Sequence, residues 1–306
     1  MTPLNPLVEV STEVADALAD RRPVVALEST VISHGMPSPR NLETARSLEA
    51  IVRAHGAVPA TIAVVDGRVR VGLSNPDLER LAGGREPVAK LSRRDLPIRL
   101  AQGGLGTTTV AATMFVASLA GIRVFATGGI GGVHRGAQAT FDISADIEEL
   151  GRSSAAVVCA GAKAILDLGL TLEALETRGV PVLGYRTDRF PAFYCRTSVF
   201  PVDARVDTPE EIARICRTKW ELGLAGAVVV ANPVPEAHAM DPAEVTAAVD
   251  AALAEAEVGR VTGKALTPFL LARVTDLTGG QSLEANVALI QNNAALAADI
   301  AAALHG

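Results

Sequence analysis

The sequence predicts one α/β domain, a three-layer α/β/α sandwich in which helices cover both faces of a largely parallel or mixed central sheet. Three observations carry that expectation. Short apolar runs without strict alternation, which suit strands buried on both faces, alternate along the chain with helical patterns. Neither a low-complexity linker nor an internal repeat divides the 306 residues. Apolar residues make up 49% of the chain against 20% charged, enough to fill a core. Aromatics are only 3%, so Ala, Val, Leu and Ile must build that core.

Taken in order, residues 23–27 read as the first strand and 41–56 as a helix. Residues 60–65 and 68–71 flank Asp66-Gly67, a hairpin signal. Val110–Ala120 is expected as a buried helix and 123–126 as the next strand. A short helix over 143–150, a strand over 155–159 and a helix opening at Gly161 follow. Residues 181–185 and 227–231 are strand candidates, and 209–222 and 241–257 are helices. From Thr267 the chain reads as two helices parted by Gly279-Gly280. Ligands of open α/β sheets sit beyond the carboxyl ends of the strands. Glu28-Ser29-Thr30, Thr127-Gly128-Gly129, Ala160-Gly161-Ala162-Lys163 and Asn232-Pro233 should therefore converge on one rim.

Composition excludes several function classes. A net charge of −6 argues against a binder of nucleic-acid backbones, and scarce aromatics argue against one that stacks on bases. The first nine residues lack the basic and long apolar regions of a signal peptide. The longest strongly apolar charge-free run, 110–122, is too short to cross a bilayer and ends at Arg123. Cys159, Cys195 and Cys216 are odd in number and set among apolar residues, as reduced core thiols of a cytosolic protein would be. No Cys/His spacing suggests zinc. Only four of the 28 basic residues are lysine, at positions 90, 163, 219 and 264. Arginine does not deprotonate in proteins, so a retained lysine can fill the one role arginine cannot, that of an amine nucleophile.

Four constellations carry candidate chemistry. Gly103-Gly104-Leu105-Gly106-Thr107-Thr108-Thr109-Val110 reads as a Gly-rich loop opening a helix. Backbone N–H groups and the hydroxyls of Thr108 and Thr109 would suit a phosphate, and an ordinary helix cap is the alternative. The loop from Thr127 to Gly136 holds five glycines in ten residues. Its close backbone approach would serve a ligand, with Thr127, His134 and Arg135 as contacts, unless it is simply a flexible loop. Its spacing is not that of a dinucleotide fingerprint. Asp142 and Asp146 would share a face if helical and could hold a hard cation or move a proton, or one could merely cap the helix. Lys163 stands among apolar residues at a strand end, where desolvation favours the neutral, nucleophilic amine, although such a lysine can also snorkel to water. Glu28 ends the first strand, either as an acid of raised pKa or as an acceptor for nearby backbone N–H groups.

Longer motifs add a resemblance. Val25-Ala26-Leu27-Glu28-Ser29-Thr30-Val31-Ile32-Ser33-His34-Gly35-Met36-Pro37 resembles the pseudouridine-5′-phosphate glycosidase family, which includes proteins associated with indigoidine pigment clusters. So do 56–63, Lys90-Leu91-Ser92-Arg93-Arg94-Asp95, the Thr127–Gly136 loop, 141–146, 159–163, Pro191-Ala192-Phe193, Ala231-Asn232-Pro233 and Thr267-Pro268-Phe269-Leu270-Leu271. The match runs in order through nearly the whole chain. It implies a trimeric C–C glycosidase of α/β/α fold that uses a divalent metal, typically Mn²⁺. Such an enzyme reversibly cleaves pseudouridine 5′-phosphate to uracil and ribose 5-phosphate. Matched residue by residue, the family's Schiff-base lysine falls on Lys163, its acid on Glu28 and its metal carboxylate on Asp142. Its substrate contacts fall on Lys90, Val110, Ser144, Ala145 and Asp146, and its pyrimidine-facing asparagine on Asn286. Asp146 is also a candidate for serving the sugar hydroxyls. One departure is Thr107, where the family usually reads Gly-Ala-Thr-Thr-Val.

The chemistry agrees with the residues. A C–C glycosidic bond has no easily protonated leaving atom, so an imine on Lys163 would supply the electron sink. Two other readings keep the pocket: an aldolase-like lyase acting on another phosphosugar, and a non-catalytic phosphosugar sensor. Intact Glu28, Lys163 and Asp142 weigh against the sensor.

Overall fold

The computed structural model describes residues 5–305, without the side chain of Lys264. Residues 1–4, part of the segment read above for a signal peptide, lie outside it. The elements follow as β1 (Val8–Val10), α1 (Thr12–Ala19), β2 (Val24–Leu27), a π-helical turn (Val31–Gly35), α2 (Arg40–Ala54), β3 (Val58–Val65), β4 (Arg68–Val71), α3 (Asn75–Ala82) and β5 (Val88–Leu91). Next come α4 (Leu96–Gln102), β6 (Leu105–Thr108), α5 (Val110–Ala120), β7 (Val124–Ala126), β8 (Val133–His134), α6 (Ala137–Thr140), α7 (Ala145–Leu150), β9 (Ala156–Cys159) and β10 (Leu166–Asp167). The chain ends with α8 (Leu168–Thr177), β11 (Val182–Tyr185), β12 (Ala204–Val206), α9 (Pro209–Glu221), β13 (Val228–Ala231), α10 (Pro242–Val258), α11 (Leu266–Leu277) and α12 (Gln281–His305).

The main sheet runs β1-β4-β3-β2-β7-β9-β13-β11-β12, with helices on both faces. From β3 through β2 to β12 every pairing is parallel. The Asp66-Gly67 turn makes β4 antiparallel to β3, as its sequence predicts, and β6 also meets β3 antiparallel. The sheet is therefore mixed at one side and parallel through its centre. Strands such as Val228–Ala231 and Ala156–Cys159 are buried along their whole length, which explains their unbroken apolar composition. Burial pushes the thiols of Cys159 and Cys216 up to about 12 and that of Cys195 to about 11, so all three remain protonated in the core.

The sheet forks beside β3. Residues 58–61 of β3 pair with β2, and Ala63 and Val64 pair with β6. The Ile62 carbonyl lies between, and two hydroxyls fill the fork: Ser29 Oγ donates to it at 2.6 Å and Thr108 Oγ1 at 2.7 Å. Thr108 N–H donates to Ser29 Oγ at 2.9 Å, which closes the network. The chain leaves the sheet here, and Glu28 stands at the exit.

Helix α12 packs against α2, α9, β2, β7 and β9. By length and composition it could cross a membrane, but 56% of that span is buried inside the protein, as expected of a core helix. Asn293, in its middle, is wholly buried. Its Nδ2 donates to the Thr127 carbonyl at 2.8 Å and its Oδ1 accepts from Asn232 at 3.0 Å, which ties α12 to the ends of β7 and β13.

Two expectations change. Gly161 opens no helix: residues 161–165 are irregular, and the helix begins at Leu168, capped by Asp167. The cause is tertiary, because Gly161 has φ +88° and sits against the Pro191 carbonyl, where an added Cβ would come within 2.2 Å. The Gly103–Val110 segment is not a loop either. Its centre is strand β6, because Leu105 and the threonines are drawn between β3 and β5. Replacing Asn293 by Ala should cost about 1–3 kcal/mol, the penalty for stranding a buried polar partner, and urea melts would read it.

Candidate active site

A cavity of about 380 Å³ opens at the carboxyl ends of the parallel strands. That volume falls within the range of small-molecule sites. A larger apolar groove of about 840 Å³, lined by parts of α8 and α9, shares none of the predicted site residues. Glu28, Lys90, Thr109, His134, Asp142, Ser144, Ala145, Asp146, Lys163 and Asn286 all line the smaller cavity. They come from seven parts of the chain, brought together by the order of the strands.

Asp146 holds the floor of the site. It is buried, its Oδ1 accepts from Ala111 N–H at 2.9 Å and its Oδ2 from Gly131 N–H at 2.7 Å. Ala111 is in the first turn of α5, where a carboxylate meets unsatisfied N–H groups and the positive end of the helix dipole. A Cβ on Gly131 would fall 2.2 Å from Ser144 Oγ and 2.6 Å from Asp146 Oδ2. The Gly-rich loop thus approaches protein side chains, not only a ligand. Asp142 and Asp146 do not share a helical face, because α7 starts at Ala145 with Ser144 as its cap. Asp142 stays in the preceding loop.

Glu28 is buried, and burial raises its carboxyl pKa above the usual carboxylate range. The Lys163 ammonium pulls it partly back, and so does the hydroxyl of Thr127, which donates to Glu28 Oε1. The backbone beneath Lys163 is anchored from two sides. Lys163 N–H donates to the Ile130 carbonyl, Ile130 N–H donates to that of Gly161, and Phe193 N–H donates to that of Ala160. An amine and a carboxyl of raised pKa therefore face one cavity from rigid strand-end loops.

The same cavity is lined by the cations Lys90 and Arg94 and by His34, Thr30, Ser92 and Thr109; burial and the Lys90 charge lower the His34 pKa. Thr109 Oγ1 is buried and has no hydrogen-bond partner among the described residues. The neighbouring Arg93 turns away to Glu149 at 2.7 Å. Sequence reasoning passed over His34 for want of a partner pattern and did not separate Arg94 from Arg93. The resembling segment 90–95 was the available signal for Arg94.

Four expected contacts lie elsewhere. Thr108 is wholly buried at the sheet fork, with its hydroxyl engaged by Ile62, Ser29 and Thr113. Val110 points into the core at 1% exposure. Thr127 is buried and serves Glu28. Arg135 pairs with Asp250 at 2.6 Å instead of facing the cavity.

Among the described residues no three His, Cys, Asp or Glu side chains gather as a metal cage. Asp142 nevertheless lines the cavity, near enough to His134 to influence its charge. A single carboxylate on an open cavity suits a hard divalent cation that keeps most of its water shell, so the residues fit such an ion.

Comparisons with known proteins find relatives along nearly the whole chain. The family model described as indigoidine synthase A like protein matches residues 13–303. A pseudouridine-5′-phosphate glycosidase of Hahella chejuensis is 60% identical over 302 residues, covering 99% of this chain and 100% of the relative. The protein of that name from Escherichia coli is 59% identical over 295 residues, covering 96% and 95%. Among solved structures, the prealnumycin C-glycosynthase AlnA in complex with ribulose 5-phosphate superposes with a TM-score of 0.90 at 44% identity, covering 98% of both chains. An indigoidine synthase A-like protein of Thermotoga maritima gives 0.89 at 37% identity, covering 98% of this chain and 97% of the other.

The raised pKa of Glu28 has a sign that can be tested. Between the usual carboxylate range and its raised value, the folded chain binds more protons than the unfolded one, so this group costs stability as pH rises. Glu28→Gln keeps an acceptor for Thr127 and removes the titration. Its stability relative to the native chain should increase as pH rises above the usual carboxylate range in urea melts, and a constant difference would contradict the assignment.

Proposed function

This chain belongs to the indigoidine synthase A-like family, and on that premise we propose that it reversibly cleaves the C–C glycosidic bond of pseudouridine 5′-phosphate, giving uracil and ribose 5-phosphate. The observation that carries the reading is that Lys163 and Glu28 face one cavity that the cations Lys90 and Arg94 also line. That set offers an amine nucleophile, a proton carrier and a place for a phosphate. Relatives about 60% identical over full length bear the glycosidase name, and the similar C-glycosynthase holds a phosphosugar.

In this reading Lys163 Nζ forms a bond to C1′ as the C1′–O4′ bond breaks. Glu28, whose carboxyl pKa burial raises, passes its proton toward O4′. The adduct nitrogen then gives up a proton, its lone pair forms the C1′=N imine as the bond from C1′ to C5 of the base breaks, and C5 takes up that proton. Water hydrolyses the imine, freeing ribose 5-phosphate and the amine. Asn286 faces the pyrimidine. Ser144, Ala145, Lys90 and Arg94 hold the sugar phosphate, and His134 lines the same cavity. Asp146 keeps α5 and the Gly-rich loop in register beneath the sugar. A divalent cation at Asp142, Mn²⁺ in this proposal, would supply positive charge and ordered water when bound. Trimeric assembly and a cytoplasmic location complete the proposal, the former open to light scattering.

Incubation of the protein with uracil, ribose 5-phosphate and Mn²⁺ should yield pseudouridine 5′-phosphate by chromatography; absence of that product would sink the reading. Borohydride added with ribose 5-phosphate should trap an adduct on the peptide carrying Lys163. Lys163→Arg should still bind substrate and fail to turn it over, because arginine keeps the charge and cannot become a free amine. Labelling of another lysine would shift the nucleophile away from Lys163.

Metal dependence is separately testable. Chelation should abolish turnover and Mn²⁺ should restore it, whereas Asp142→Asn should require far more cation for the same rate, since a carboxylate ligand becomes a neutral one. Full activity of the chelated protein would remove the metal from the proposal.

A further inference from the structure

Helix α12 meets the cavity with one asparagine and the strand ends behind it with another. Asn286 and Asn293 lie seven residues apart, two turns along one face of the helix. Asn293 is wholly buried, and its Nδ2 donates to the Thr127 carbonyl at 2.8 Å and, at 3.4 Å, to that of Gly128. Ala160 N–H donates to the same Gly128 carbonyl at 2.9 Å, so the backbone of Gly128 is held from two sides. Asn286 lines the cavity, and among the described residues its side chain has no hydrogen-bond partner. Its amide is free for a ligand, and packing alone sets where it stands.

That packing includes a close approach to Gly128. A Cβ added there would fall 3.3 Å from Asn286 Oδ1, 3.4 Å from Leu289 Cδ1 and 3.8 Å from Phe193 Cε2. Asn286, Phe193 and Gly128 all line the cavity, so the missing side chain leaves room where an amide and an aromatic ring come together. The backbone does not require glycine at this position, because Gly128 lacks a positive φ. A methyl group would therefore be resisted by its neighbours, not by the chain. Contacts of 3.3–3.4 Å are tight enough that a neighbour must give by a few tenths of an ångström. Leu289 is wholly buried in the core, whereas Asn286 borders the cavity and is bonded to nothing, so Asn286 is the side chain that yields.

We propose that Gly128 is a specificity-determining residue for the base: its bare Cα lets the Asn286 amide settle beside the Phe193 ring, where it meets the polar edge of a planar pyrimidine. The proposal rests on the reading that Asn286 faces the pyrimidine, and it adds the residue that places that amide.

Binding of uracil and of ribose 5-phosphate, each followed by ligand-observed NMR on the full chain, tests it without turnover. Gly128→Ala should weaken uracil binding about two- to tenfold, the loss of one neutral hydrogen bond, and leave the affinity for ribose 5-phosphate unchanged. Asn286→Ala should weaken uracil binding similarly. In the double variant the added methyl has no amide to displace, so the loss should equal that of Asn286→Ala alone instead of multiplying. Unaltered uracil binding in Gly128→Ala, an equal fall in both affinities, or independent losses that multiply in the double variant would each overturn the proposal. A Gly128→Ala chain that fails to fold would overturn it too, since the core and not Asn286 would then be resisting the methyl. So would absence of uracil binding to the unaltered chain. A chain that binds uracil but makes no pseudouridine 5′-phosphate counts against the glycosidase reading alone.

Discussion

The Asp146 carboxylate is the fixed point around which this site is built. One oxygen takes a backbone N–H from the first turn of α5 and the other takes one from the Gly-rich loop after β7. Charge-assisted bonds of this kind contribute about 1.5–3 kcal/mol each, more than neutral ones, and they join two segments that share no covalent neighbour. The contact is possible only because Gly131 has no side chain. A glycine that looks in sequence like freedom for a ligand is, in the structure, room for a carboxylate. The helix N-terminus, which the sequence left open to a phosphate or an ordinary cap, receives a carboxylate from the protein itself.

The sheet fork extends the same logic to the other wall. Parallel strands deliver their carboxyl ends to one rim, but the fork at Ile62 decides where β2 stops and which way the chain turns. Ser29 and Thr108 saturate the Ile62 carbonyl there, so Glu28 and Thr30 leave the sheet at a fixed point. Glu28 is then buried within reach of the Lys163 charge. Desolvation raises its pKa and the ammonium lowers it, with desolvation the larger influence, so the pair suits proton transfer better than a permanent ion pair. The strand-end loops around Lys163 are laced by backbone bonds, and α12 closes the back of the sheet through Asn293. Placing the reactive groups on such short, cross-braced loops limits their motion more than any single side-chain contact would.

Much of this was legible in the sequence because it follows from local pattern. Unbroken apolar strands and the Asp66-Gly67 turn fixed a mostly parallel sheet with one antiparallel neighbour. The positions beyond strand ends marked Glu28 and Lys163, and the scarcity of lysine marked four positions, of which Lys90 and Lys163 face the cavity. Longer motifs added Asp142, Ser144 and Asn286, and all of these face the cavity. What could not be read was whether a polar residue serves the ligand or the fold. Thr108 and Thr109 are adjacent and chemically equal, yet one fills the sheet fork and the other lines the cavity with its hydroxyl unpartnered. Arg94 lines the cavity, 3.9 Å from Asp95, where Arg93 pairs with Glu149, and His134 lines it where Arg135 pairs with Asp250.

The sequence by itself thus determined the fold class, the rim on which chemistry gathers and the residue types that carry it, since periodicity and strand-end position are properties of a few consecutive residues. Only the tertiary structure decided which hydroxyls and cations are free to act. That depends on distant partners such as Ile62 for Thr108, Asp250 for Arg135, and Ser33 with His34 for Thr107. A hydrogen bond or ion pair removes a group from the ligand's reach, and no local pattern announces a partner tens of residues away.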